Sequence, residues 1–277
     1  MGINAELVEL TAKLRQSKFL AGNSVIELGA QDVCVVEPVI KTILSNFGFP
    51  TIESRIERAD SLYRCLGFTE YRSIDASGEK NALLFDLNND LQETYEFHDS
   101  FDLVTNLGTA EHCFDQRSVF KNIHNLCKVG GIMIHALPAQ GNVNHAFYNY
   151  HPRFFMDTAV ANKYEVISLN FTVDYNSELI SYTPENFKKW DSHDILFYAV
   201  FRRTEATEFR LPFDGMFAAQ NQLLGYGDTD VNPLVTDFAP YLKSGNWENT
   251  KGLRKTTAST RFDAFRSLAK RIFSYAK

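Results

Sequence analysis

The chain has 277 residues, 44% of them hydrophobic, and a formal charge of −6. That composition supports one large core, or one core with an extension, and excludes a disordered chain. No apolar run reaches the roughly 18 residues of a membrane span, and the polar, charged stretch from Met1 to Leu20 reads as an amphipathic helix rather than a secretion signal.

The four cysteines, Cys34, Cys65, Cys113 and Cys127, form no CxxC pair. They read as free thiols of a reducing compartment, and a cytoplasmic protein is expected. From Lys251 onward eight basic residues stand against the single acid Asp263, so the body that precedes them is acidic. An acidic body with a basic tail argues against nucleic acid lying across the main domain.

In chain order, Glu6 to Phe19 is expected to be a helix with Leu7, Leu10 and Leu14 on one stripe. Val25 to Leu28 is a short apolar run bounded by turn residues, the mark of a buried strand, and it runs directly into Gly29. Helices are expected at Pro38–Phe47 and Ile52–Leu66, and a second strand at Tyr71–Asp75. Ala82–Leu87 reads as a third strand and Phe101–Gly108 as a fourth. Asp115 to Cys127 carries Val119, Phe120, Ile123 and Leu126 at helical spacing and is stopped by Gly130-Gly131. Gly131–Leu137 is almost wholly apolar, as a strand covered on both faces must be. Phe154–Ala161 is expected to be helical, and Glu165–Phe171 and Ile195–Phe201 to be strands. Strands alternating with helices imply a Rossmann-like, seven-stranded, mostly parallel α/β sheet with helices on both faces. The expected division is a domain over residues 1–203, with the first helix in 1–20, and an extension over 204–277.

Glu27-Leu28-Gly29 resembles the first motif of class I S-adenosylmethionine (SAM) dependent methyltransferases, acid-x-Gly-x-Gly-x-Gly. The match is partial, because Gln31 and Val33 stand where the second and third glycines belong. Strand ends at Gly29, Asp75, Asp86 and Asn106, then a Gly-Gly turn, are similar to the plan of that family over about residues 20–203. Gly108-Thr109-Ala110-Glu111-His112 and His145 to Pro152 look like a subgroup of bacterial methyltransferase-domain proteins. The resemblance implies SAM as cofactor. Glu27 would face its amino group, and the backbone of Gly29 and Ala30 would line its methionine part. Asp75 would take the ribose hydroxyls, Asp86 with Leu87 the adenine, and Asn106 would complete the cofactor side. A helix N-cap is the plain alternative for each aspartate.

Methyl transfer to oxygen needs alignment and a proton acceptor. His112 and His145, on one rim of the sheet, are the expected bases, with Tyr148 and Glu111 ranked behind them. Tyr148, Tyr150 and His151 are expected to bind the acceptor, a small molecule or glycan. No HxxxH or paired-carboxylate spacing supports a metal site. Thr260–Ala276 reads as a basic amphipathic helix for docking on protein, for self-association, or on an anionic membrane. The expected function is SAM-dependent methyl transfer. The rivals are a SAM-fold protein that binds without catalysis, a membrane-associated scaffold, and a nicotinamide-dependent oxidoreductase, the last disfavoured by the missing GxGxxG.

Overall fold

A computed structural model describes residues 2–50, 56, 58–176 and 178–223. Seven strands form one sheet: β1 Ser24–Leu28, β2 Glu70–Ile74, β3 Phe101–Leu107, β4 Cys127–Gln140, β5 Glu165–Val173, β6 Ile180–Ser181 and β7 Ile195–Arg202. Their order is β2-β1-β3-β4-β7-β5-β6. β1 pairs in parallel with β2 and β3, and β3 with β4. β7 runs antiparallel between β4 and β5, and β6 antiparallel beside β5. Five strands therefore point one way and two oppose them, the mostly parallel α/β sheet expected.

The helices are α1 Ala5–Gln16, α2 Glu37–Asn46, α3 Ala59–Cys65, α4 Leu91–Tyr95, α5 Gln116–Leu126, α6 Pro152–Asn162, α7 Pro184–Lys188 and α8 Met216–Leu223. They cover both faces because strand residues alternate. Val25, Leu103, Ile132 and Ile134 pack with Leu7, Leu14, Ile40, Ile43 and Leu62 of α1, α2 and α3. Ile26, Leu28, Val104 and Met133 pack with Val119, Ile123, Phe155 and Phe217 of α5, α6 and α8. Each burial of a large aliphatic side chain contributes about 1.5–3 kcal/mol.

Two strand assignments change. The run Ala82–Leu87 is not a strand: it makes one bridge, Leu83 to Ile74, at the edge of β2. Phe85 instead stacks on Tyr95, with ring centroids 4.3 Å apart, and the Tyr95 hydroxyl takes the Asp86 N–H. Phe85 thus packs on α4 while Leu84 stays exposed. The seventh strand is β6, two residues long and too short to leave a periodic pattern. β4 also starts at Cys127, ahead of the glycines, with Gly130 exposed at φ +84° and Gly131 buried. The inserted helix of the first crossover is α3, and most of the expected stretch before it, residues 52–55 and 57, lies outside the described residues.

Residues 204–223 lie against α5 and α6. His124 of α5 bridges the Tyr164 hydroxyl and the Thr207 carbonyl, and burial pushes it down to about 4, so it stays neutral. Arg210 N–H donates to Asn162 Oδ1. The buried Asp157 of α6 accepts from Gly215 N–H at 3.1 Å and Phe217 N–H at 2.8 Å, capping α8 from another element. The basic segment Thr260–Ala276 lies outside the described residues. Among the described residues no helix is long and apolar enough to cross a membrane.

Asp157→Ala removes two hydrogen bonds at a helix start, and a loss of about 1–2 kcal/mol is expected. A lower melting temperature for this variant is the check. An unchanged one would mean that α8 is held by the packing of Phe217 alone.

Candidate active site

The sheet order reverses at β1, whose neighbours β2 and β3 are reached in opposite directions. In open α/β sheets the crevice for ligands lies beyond the carboxyl ends of the strands at such a point. Here those ends carry Gly29, Asp75 and Thr109.

Gly29 has φ +80°, a conformation that favours glycine. A Cβ there would meet Thr109 Oγ1 at 2.6 Å and Gln31 Nε2 at 2.7 Å. The glycine is thus required by the packing of the chain itself. Thr109 Oγ1 donates to the Leu28 carbonyl at 2.7 Å, and Gln31 Nε2 donates to the same carbonyl and to Thr109. Gln31 is buried, and its Oε1 has no hydrogen-bond partner.

Glu27 is fully buried. Tyr63 donates to its Oε1 at 2.9 Å and Tyr71 to its Oε2 at 2.7 Å. Burial pushes its carboxyl up to about 7, against the two tyrosine hydrogen bonds. The expected contact to a cofactor amino group gives way to this tyrosine clamp. Asp75 stands half-buried at the end of β2. It accepts from the Ala30 N–H at 3.0 Å and from the N–H and hydroxyl of Ser77. Burial alone would raise its carboxyl, but these donors outweigh it and hold it below the usual range. Lys80 Nζ donates to the Ala30 carbonyl and pairs with Asp32. Both backbone groups of Ala30 are therefore engaged, and the Gly29 N–H goes to the Ile74 carbonyl.

Asp86 is exposed and closes its own turn, accepting from the N–H and side chain of Asn88. Leu87 is buried in the core below it. Asn106 does not face the crevice. Its Oδ1 takes the Ala110 N–H and its Nδ2 meets His135 Nδ1 at 3.3 Å, both in the interior. Burial lowers His135 to about 3, so its ring is neutral and Nδ1 accepts.

That Asn106 bond fixes the short 3-10 turn Ala110–His112 after β3. The turn carries Glu111, whose side chain is fully buried with neither carboxylate oxygen hydrogen-bonded. Burial pushes it up to about 7. His145 Nε2 lies 3.6 Å from Glu111 Oε1, and His112 Nε2 lies 4.0 Å from it. The two imidazoles meet edge to face at 5.0 Å between centroids. The loop after β4 is tied to the turn by Phe147 N–H donating to the Glu111 carbonyl at 3.0 Å.

The structure thus brings His112 and His145 together, as their shared rim implied, and adds Glu111 as the buried third member. An acid beside a histidine just after a strand was the sequence signal for it. Local spacing gave no metal signature because the third group comes 33 positions beyond His112, from another loop. Among the described residues these three are the one group gathered closely enough to hold a metal ion. Tyr148 is half-buried beside them and donates to the Phe114 carbonyl, with Phe114 and Phe147 exposed at its side. Tyr150 is a correction: it is buried, donates to Gln116 and packs on Phe120 and Phe154. An acceptor cannot reach it. His151 is exposed at the start of α6 and does not join the cluster.

The enclosed Glu27 yields a pH test. An acid raised from 4.5 to about 7 by burial binds more protons folded than unfolded, so its share of stability falls as pH rises through that interval. Glu27→Gln removes the charge, and its melting temperature is expected to gain on the wild type between pH 5 and pH 8, by an amount of about 1–3 kcal/mol. Parallel melting curves for both proteins across this range would place the ionised carboxylate comfortably in its site instead.

Residues 69–135, from the edge of β2 into β4, match the profile of a family described as a methyltransferase domain. No curated protein matches the chain in sequence. Among solved structures the fold is similar to TehB from Haemophilus influenzae, at 12% identity and a TM-score of 0.41, over 69% of this chain and 61% of that one. It is also similar to a putative methyltransferase from Bacillus halodurans, at 14% identity and a TM-score of 0.39, over 70% of this chain and 99% of the other. A third is the 1,6-didemethyltoxoflavin-N1-methyltransferase of Burkholderia thailandensis with bound S-adenosylhomocysteine, at 12% identity and a TM-score of 0.37, over 72% and 80%. The profile match spans β2 to β4, the central part of a Rossmann-like sheet, and over those residues the chain is similar to a methyltransferase domain.

Proposed function

We propose that the protein transfers a methyl group from SAM to an oxygen of a small-molecule or glycan acceptor. The observation that carries this reading is the rim itself. The switch-point crevice of β1 and β3 opens beside Glu111, His112 and His145, so a cofactor side and an acceptor side adjoin.

The residues fit the cofactor in two places. Gln31 Oε1 is a buried acceptor without a donor beside Gly29, and an ammonium group would satisfy it. It takes the part that Glu27, clamped by tyrosines, does not. Asp75 accepts three hydrogen bonds, from the Ala30 N–H and from the N–H and hydroxyl of Ser77, which leaves one of its roughly four acceptor positions for a ribose hydroxyl. Asp86, exposed at the next loop, is the acid for the exocyclic amine of adenine. SAM supplies a methyl group on a sulfonium, which leaves as a neutral thioether.

The protein orients the acceptor and removes its proton. Phe114 and Phe147, exposed and edge to face at 6.3 Å, offer apolar faces against which an acceptor ring can stack. The Glu111–His112–His145 cluster lies next to them and is where the acceptor proton is lost. Half-exposed imidazoles above a buried carboxylate make an approach for a hydroxyl from solvent. A cytoplasmic, reducing setting suits the four free thiols.

SAM or S-adenosylhomocysteine is expected to raise the melting temperature, and NAD to leave it unchanged, since a ligand of the native state stabilises by mass action. Asp75→Ala is expected to weaken SAM binding by about 1–3 kcal/mol. Stabilisation by NAD alone would overturn the reading. Unchanged SAM affinity in the variant would move the ribose contact to another acid.

A further inference from the structure

We infer that Glu111, His112 and His145 form a binding site for a divalent transition-metal cation, with open coordination positions facing the acceptor. The cation site stands on geometry, and its use in catalysis rests on the methyl-transfer reading above.

The first observation is the state of Glu111. Its carboxylate is fully buried and neither oxygen receives a hydrogen bond. A buried carboxylate left without a donor or a positive partner is costly. The two imidazoles are the ionisable side chains that approach it within 4.0 Å. They stand 3.6 and 4.0 Å from Oε1, beyond hydrogen-bond distance. One ligand atom from each of the three residues lies within 4.8 Å of the others. A cation held at about 2.0–2.2 Å from each atom would fill the middle of that triangle. The imidazoles have the freedom to close the remaining gap, for their side chains are 48% and 34% exposed. Glu111 does not move: Asn106 caps its turn, and its own carbonyl holds the Phe147 N–H.

The donor set decides the kind of ion. Two imidazoles and one carboxylate on one side of an open site suit zinc, iron, cobalt or nickel, whereas magnesium and calcium prefer all-oxygen shells. Three protein ligands leave positions for an outside oxygen. That oxygen would enter past Phe114 and Phe147, which selects an acceptor whose hydroxyl is carried on an apolar or aromatic body. A hydroxyl on such a cation ionises far more readily than in water. Its O–H bond breaks and the proton leaves to solvent. An oxygen lone pair then forms the O–CH₃ bond while the S–CH₃ electron pair returns to sulfur. The histidines in this scheme are ligands, and the cluster removes the proton through the ion.

The test uses the untagged chain, stripped with a chelator and titrated with Co²⁺, Zn²⁺ and Mg²⁺ by calorimetry and visible absorption. One Co²⁺ per chain is expected, with visible d–d bands that Zn²⁺ abolishes, and Mg²⁺ is expected to give no binding. His145→Ala and Glu111→Gln should each weaken Co²⁺ binding by about tenfold or more. His145 is exposed, so its variant keeps the fold even if Glu111→Gln does not. Failure to bind Co²⁺ at one per chain, or equal binding by His145→Ala, overturns the cation site. The SAM-induced melting shift is read on the same stripped protein. A SAM shift without metal binding removes this inference and leaves methyl transfer standing. Metal binding without a SAM shift does the reverse.

Discussion

The site depends on one hydrogen bond between strand ends, from the Thr109 hydroxyl to the Leu28 carbonyl at 2.7 Å. β1 and β3 are the neighbours between which the chain order reverses, and their ends must be held apart enough to leave a crevice. Thr109 spans that gap, Gln31 braces it with bonds to both, and Gly29 bends to admit them. One residue later the chain enters the turn that carries Glu111. The proposed cofactor and acceptor sides thus both start from a single junction of backbone and hydroxyl.

Three acids near this junction illustrate how surroundings decide the role of a carboxylate. Glu27 is enclosed and clamped by two tyrosines, so it is a packing group with a raised pKa. Asp75 is half-buried and fed by the Ala30 and Ser77 donors, so its carboxyl is held below the usual range. Glu111 is enclosed, receives no hydrogen bond from another residue and faces two imidazoles. Identical chemistry at the carboxyl group leads to a clamp, a proposed ribose acceptor and a proposed ion ligand, because burial and donor count differ.

Much of the sheet was legible because parallel strands covered on both faces show as bare apolar runs, as at β1, β3 and β4. Ala82–Leu87 misled for the same reason: an apolar run can bury in a helix flank as well as in a sheet, and Phe85 on Tyr95 did so. β6 was invisible at two residues. Gly29, Asp75 and the paired rim histidines were legible from their positions at strand ends. Asn106 and Tyr150 were not, since residue type advertises polar chemistry while only the fold reveals that their polar atoms point inward. Glu111 was ranked low for the opposite reason, as its isolation from every donor is a three-dimensional fact. The basic helix expected over Thr260–Ala276 falls beyond the described residues.

The loop after β4 is fastened at a small number of points. Tyr150 N–H binds the Pro138 carbonyl, Phe147 N–H binds the Glu111 carbonyl, the Tyr148 hydroxyl binds the Phe114 carbonyl, and Asn142 N–H binds Asp194. Two of these four run from main chain to main chain, indifferent to the side chains between them. Val143 and Phe147 project into solvent there without supporting the core. The proposed acceptor wall is therefore modular. Its side chains can be exchanged between those fastenings while the Gly29, Gln31 and Thr109 junction goes undisturbed, so a lineage built on this frame could change what it modifies and keep how it is supplied.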